Sequence, residues 1–303
     1  MKKTRVATRL ALVLMLPASL LSCHGVPVIN LALHQLLNLP PGYIRTHGIP
    51  HLELVELSGK INHSGMDFSQ FPQLDFFDYH ATVPDVNVWI AEHPFTKKLG
   101  IRSDETGWWR AYVLKLEGVD LEASFVYERE GWVTTQSNRI TIADEDDTDL
   151  AIQYIDPYFF DEFVKPVLEY QLTAFLGYPL TLDNAMVVTV GKSWASLHDD
   201  RLPHGDPGAL AALSPSLAEV GPLYFNEDVL PDVTYTATSV DGGVGWVNVP
   251  GGEYEVTAQK PGVSYEPVRF FVHEPDADAD VTLYIATPPD SLEGSNDSGP
   301  GEW

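Results

Sequence analysis

Two histidines and three carboxylates crowd one short stretch, His198-Asp199-Asp200-Arg201-Leu202-Pro203-His204-Gly205-Asp206. Two imidazoles with three carboxylates make a donor set that zinc or copper accepts, and a metal-dependent enzyme using residues 198–206 is one reading of it. A solvated loop on an acidic chain explains the same composition. His47 and His51 are four apart, but Gly48 and Pro50 lie between them and exclude the helix that would bring them to one face. The acidic runs Asp144–Asp149 and Asp276–Asp280 offer oxygen ligands for calcium, yet neither has the spaced Asp-x-Asp-x-Asp-Gly pattern with a distal Glu; charged turns that keep strand edges apart account for both. No Gly-x-Ser-x-Gly elbow, Ser-x-x-Lys or phosphate-binding glycine loop occurs. Trp108, Trp109, Trp132 and Trp246 would stack on sugar rings if they shared an exposed face. Strand alternation instead points Trp108 and Trp109 to opposite faces, so at least one belongs to a core. Accordingly no catalytic residue, metal ligand or cofactor is assigned, and the ligand-binding residues are unknown.

The elements that would position these groups read as strands. Runs of four to eight alternating β-branched and aromatic residues are punctuated by Gly, Pro and Asp turns, the pattern of an antiparallel sandwich. They also repeat. Leu52 to Lys60 and Met186 to Lys192 are strands ending in Gly-Lys, 132 positions apart. Phe125–Gly131 matches Val256–Gly262 at an offset of 131, and that offset holds through Ile140–Ile142 against Phe271–His273 and Asp149–Tyr154 against Asp280–Ile285. The turns Ser103–Gly107 and Ser239–Gly245 each precede a strand read as opening with tryptophan. Between the copies, residues 156–178 carry apolar residues at helical spacing, with Asp156-Pro157 to start and Gly177 to stop them; the apolar face is expected to pack between the sandwiches. Ile29–Leu39 is expected to form a short helix, and residues 288–303 a Pro/Ser/Gly/Asp tail without order.

The order of a Gly-Lys strand, Pro84-Asp85-Val86-Asn87-Val88, an Asp-x-x-Gly turn and Val249-Pro-Gly-Gly-Glu-Tyr-Glu-Val-Thr-Ala258 resembles the carboxypeptidase-regulatory-like domain, a transthyretin-like seven-stranded sandwich. Copy two matches it better than copy one, whose insertion Asn62–His80 is atypical. The resemblance implies all-β architecture: two tandem transthyretin-like/Ig-like antiparallel β-sandwiches joined by one amphipathic helix. It implies modules that usually serve as non-catalytic appendages. Related sandwiches host intradiol dioxygenases, but their iron-binding set of two tyrosines and two histidines is not found here.

The chain opens with Lys2, Lys3, Arg5 and Arg9 before the apolar run Leu10–Leu16, an export signal too short to span a bilayer. It ends in Leu20-Leu21-Ser22-Cys23, which resembles the bacterial lipoprotein box, although Leu21 is less usual at its position. That resemblance implies lipidation of Cys23, the one cysteine in the chain, and removal of residues 1–22. An exported lone thiol would otherwise stand unpaired in an oxidising space. His24 in place of Asp after the cysteine points to the outer membrane rather than the inner one. Cleavage removes four of the 18 basic residues and no acidic ones, taking the formal charge from −25 to −29, which disfavours nucleic acid as a partner. The expected organisation is a signal peptide (1–22), an anchor segment (23–51), a first sandwich (52–155), a connecting helix (156–178), a second sandwich (179–287) and the tail. The expected role is non-catalytic: a cell-envelope lipoprotein, membrane-bound through its lipid, that binds an envelope protein or polysaccharide. A carbohydrate-binding module is the alternative.

Overall fold

The computed structural model describes residues 26–61, 83–142, 169–191, 205–217, 221–273 and 282–286, apart from 171, 175, 180 and 229. Over these residues the protein is all-β, with sixteen strands and little helix.

β1 (Val28–Asn30), β2 (Leu52–Lys60) and β5 (Trp108–Leu116) form a three-stranded sheet with β5 in the middle. β5 is covered on both sides at its Leu116 end and on one side at its Trp108 end. Trp109, Ala111 and Val113 enter the first core with Val55, Leu57, Val88 and Phe125. Leu114 and Leu116 point the other way, under α1 (Ala32–Asn38) and its Ala32 and Leu36. Gln35 of α1 fixes this packing by accepting a hydrogen bond from the Leu116 N–H at 2.8 Å. The helix expected over Ile29–Leu39 therefore begins only after Asn30. Residues 28–30 are instead drawn into a parallel ladder with Tyr112–Leu114, because a three-residue extension satisfies the backbone of an otherwise bare edge of β5. A second short helix, α2 (Tyr43–His47), ends at Gly48, whose positive φ of 86° breaks it before His51.

The remaining strands of the first half are β3 (Asn87–Ile90), β4 (Ile101–Arg102), β6 (Leu121–Ala123), β7 (Phe125–Glu128), β8 (Thr134–Ser137) and β9 (Ile140–Ile142). Those of the second half are β10 (Asn184–Thr189), β11 (Leu210–Ser214), β12 (Leu223–Tyr224), β13 (Gly243–Val247), β14 (Gly252–Gln259), β15 (Val268–Val272) and β16 (Thr282–Ala286). A second core gathers Met186, Val188, Trp246, Tyr254, Val256 and Phe270.

The strand pairings of the two halves share the sequence offsets, but the core faces differ: Val55 and Leu57 of the first core correspond to Val187 and Thr189, whereas the second core takes Met186 and Val188. Glu53 faces Lys115 across β2–β5, and 132 positions later Ala185 faces Val247 across β10–β13. The β7–β8 pair Val126↔Gln136, moved by 131, becomes the pair next after Val256↔Val268 of β14–β15. β6 and β9 are out of step with this by one residue, and the extra residue lies within Ser137–Arg139, between β8 and β9. On the other side of Ser124, where the β3–β7 ladder ends, Glu92 accepts from both the Ser124 N–H and its hydroxyl at 2.9 Å.

Trp246 does not open its strand. In register it matches Leu114, whereas Trp109 sits five residues further back on β5. Trp109 lies over Gly59, where an added Cβ would come within 2.5 Å of its indole nitrogen; the glycine of the Gly-Lys ending is thus demanded by the tryptophan across the ladder. The sequence resemblance between the two turns therefore does not extend to their tryptophans.

The sheets do not divide cleanly into a tandem pair. One eight-stranded sheet runs β12-β13-β10-β16-β8-β7-β3-β4 through both halves. Its joint is β16, which pairs in parallel with β10 on one side and with β8 on the other. The expectation of purely antiparallel sheets is corrected here: three pairings, β1–β5, β10–β16 and β16–β8, are parallel. The expected connecting helix is described only at residues 169, 170, 172–174 and 176. Leu172 is buried in a small cluster with Val133 of the first half and Ala185, Leu223 and Val247 of the second.

Candidate functional site

Asp206 is the described carboxylate of the 198–206 stretch, and it is buried. Its backbone N–H donates to the Val190 carbonyl and its own carbonyl accepts from the Thr238 hydroxyl. Its carboxylate takes the Lys260 ammonium on one oxygen and the Tyr265 hydroxyl, at 2.6 Å, on the other. Burial and then the neighbouring carboxylate push the Tyr265 phenol well above its ordinary range. These contacts clamp the start of β11 to the turn after β14; both carboxylate oxygens are engaged. His198, Asp199, Asp200 and His204 lie outside the described residues, as do Cys23, both acidic runs and the tail.

A second buried pair lies at one end of the first core. Glu53 and Lys115 face each other across β2–β5, with the Lys115 nitrogen 3.3 Å from the glutamate and its side chain 1% exposed. Lys115 also donates to the Leu116 carbonyl at 3.4 Å. A charge so deep is retained only with a partner beside it.

The most extended polar cluster lies between the halves. Arg139, just before β9, donates to Glu253 of β14 at 2.8 Å and to Glu92 at 3.4 Å. Arg269 of β15 pairs with Glu122 of β6. Glu253 lies 131 positions after Glu122, and Arg269 lies 130 after Arg139, so each half gives an arginine to the equivalent glutamate of the other. The Arg139 N–H donates to the Arg269 carbonyl at 2.7 Å between them, and Gln136 reaches the Phe271 carbonyl at 2.6 Å. Such reciprocity is the mark of an isologous interface, here made within one chain. Trp89, Phe271 and His273 border it, with ring centroids of Trp89 and His273 6.5 Å apart and those of Phe271 and His273 4.9 Å apart. The sequence did carry a signal for this cluster in the constant offset of Glu122 and Glu253.

The tryptophans separate as alternation requires. Trp109 and Trp246 are 2% and 1% exposed in the two cores, whereas Trp108 is 37% exposed. Trp132 packs partly buried against the first core, with the Arg129 guanidinium 5.6 Å above its ring. His47 stacks on Tyr43 at 4.5 Å. His34 of α1 meets His93 edge-on at 4.6 Å. Among the described residues, no group of three or more His, Cys, Asp and Glu is placed to hold a metal ion, and no helix is long and apolar enough to cross a membrane.

No family model and no curated protein matches this chain. Solved structures similar to it include the Bacillus anthracis TIE protein, at 11% identity and a TM-score of 0.20 over 78% of this chain and 34% of that one. The chain thus spans about a third of the length of that structure. The shaft pilin SpaA from Lactobacillus rhamnosus GG is similar at 10% identity and a TM-score of 0.20, over 80% of this chain and 100% of that one. A D312A form of BcpA, the major pilin subunit of Bacillus cereus, gives 11% and 0.19 over 69% and 56%. TM-scores this low leave the reading of this chain to its own residues.

Proposed function

We propose that the protein is a non-catalytic cell-envelope lipoprotein, anchored through Cys23, that presents two transthyretin-like sandwiches for binding or scaffolding. The observation that carries this reading is the sequence Leu20-Leu21-Ser22-Cys23 at the end of a basic and then apolar leader. Two or three acyl chains, each methylene contributing about 0.8 kcal/mol, hold a protein on a bilayer for practical purposes permanently. The partner is an envelope protein or polysaccharide, and the outer membrane is the expected site.

The strand pairings that recur at offsets of 132 and 131 support two copies of one sandwich, joined edge to edge by β16. Engagement of Asp206, Lys260, Tyr265, Glu53 and Lys115 in pairs that hold strands together favours a structural part for these groups over a catalytic one. Core positions for Trp109 and Trp246 weigh against a sugar-stacking platform built on them.

Intact mass and detergent partitioning of the protein from its own membranes test the reading. The expected outcome is acyl mass on the mature chain beginning at Cys23, and a Cys23→Ser variant that partitions into the aqueous phase. A wild-type chain without acyl mass defeats it.

A further inference from the structure

Resting on that lipoprotein reading, the direction of β1 determines which end of the first sandwich meets the membrane. The Tyr112 N–H donates to the Pro27 carbonyl at 2.9 Å, and β1 then runs parallel to β5, with Val28 beside Tyr112 and Asn30 beside Leu114. Followed backwards, toward the anchor, the chain heads to the Trp108 end of β5. Only four residue steps separate Pro27 from Cys23, a tether of at most about 14 Å even when fully extended. The stretch of β5 from Tyr112 back to Trp108 is also four steps, about 13 Å. Held within that reach of Pro27, an acylated Cys23 can meet a bilayer at the Trp108 end of β5 and falls short of the Leu116 end.

The residues at that end suit the place. Trp108 has its ring on the outer face of the sheet, 37% exposed, while its neighbour Trp109 is in the core. An indole with an apolar body and one N–H settles at the headgroup layer of a bilayer. The adjoining turn carries Asp104 and Glu105, but the Asp104 carboxylate is turned back on its own loop. It accepts from the Thr106 N–H at 2.8 Å, the Thr106 hydroxyl at 2.7 Å and the Trp108 N–H at 3.1 Å. On the same outer face Arg110 is paired with Glu56 at 3.0 Å. At −29 after cleavage the protein is repelled by anionic lipid, so the surface concerned is one of neutral headgroups.

We infer that the first sandwich stands on the bilayer by its 103–108 end, with Trp108 seated among neutral lipid headgroups. The second partner of this end is therefore the lipid surface itself, beyond the acyl anchor.

The test uses the full acylated chain in phosphatidylcholine vesicles, with a fluorophore at Glu105→Cys or, at the opposite end of β5, at Glu117→Cys, and a headgroup-attached quencher. Mass spectrometry first verifies the acyl chains. Quenching several-fold stronger at position 105 than at 117, reduced when Trp108→Ser is added without loss of acyl mass, is expected. Equal quenching, or stronger quenching at 117, on an acylated chain overturns the orientation while leaving the lipoprotein reading intact. A chain without acyl mass removes the tether, and both fall together.

Discussion

His93 and His273 link stability to pH between pH 7 and pH 5. Burial lowers the pKa of both below the ordinary histidine value; at His93 the nearby His34 lowers it further, and Glu92 works against the shift at both. His93 sits between His34 and Phe95, and His273 between Trp89 and Phe271. With the folded-state pKa depressed, the unfolded chain takes up protons first as pH falls. Their contribution is therefore complete above about pH 6.5, the unfolded value, and is lost as pH falls from there toward the folded pKa. Thermal unfolding should show Tm declining between pH 7 and pH 5, and His93→Gln or His273→Gln should each flatten that decline. A slope unchanged in both variants would assign the pH response to other groups.

Among the elements, β16 has the widest reach, since its two parallel ladders tie β10 of the second half to β8 of the first. Proline has no N–H to give a ladder and is tolerated in sheets only at edges and bulges, so Tyr284→Pro strikes a central strand. Hydrogen exchange should then report lost protection in both Asn184–Thr189 and Thr134–Ser137. Loss confined to Asn184–Thr189 would mean that the β8–β16 ladder does not bind the halves together. The end of the β3–β7 ladder shows the opposite case, in which a side chain substitutes for a ladder: Glu92 takes the two hydrogen bonds offered by buried Ser124.

At the scale of the whole molecule, the reciprocal arginines set how the halves meet. The two ion pairs are unequal. The Arg139 side chain is 17% exposed and faces both Glu92 and Glu253, whereas Arg269 is 52% exposed and faces Glu122. Exposed pairs contribute about 0–1 kcal/mol, while reversing a largely buried charge sets like charges together without water to screen them. Arg139→Glu should accordingly cost about 2 kcal/mol or more in urea unfolding, and Arg269→Glu less than about 1 kcal/mol. Equal costs would place the two arginines in equivalent surroundings and contradict the observed difference in burial.

Sequence alone determined much that is local. Alternation identified the strands and sent Trp108 and Trp109 to opposite faces, because successive side chains of a strand must diverge. Gly48 and Pro50 kept His47 and His51 off a common helix face. The constant offset announced the equivalent strand pairings but not which face of β10 and β13 would enter the core: Trp246 of the second core corresponds to Leu114, which points out of the first. Tertiary structure decided which edges met. Nothing in the sequence of Val28–Asn30 distinguished a strand laid beside β5 from the first turn of a helix, and nothing in β16 named β8 as its second neighbour. Alternation encodes a face but not a partner or a direction, so those choices waited on the open edges that folding brought within reach. The partners of Asp206, Lys115 and Arg139 were hidden for the same reason: the groups that balance a buried charge come from strands far apart in the chain, and only the packed fold brings them together.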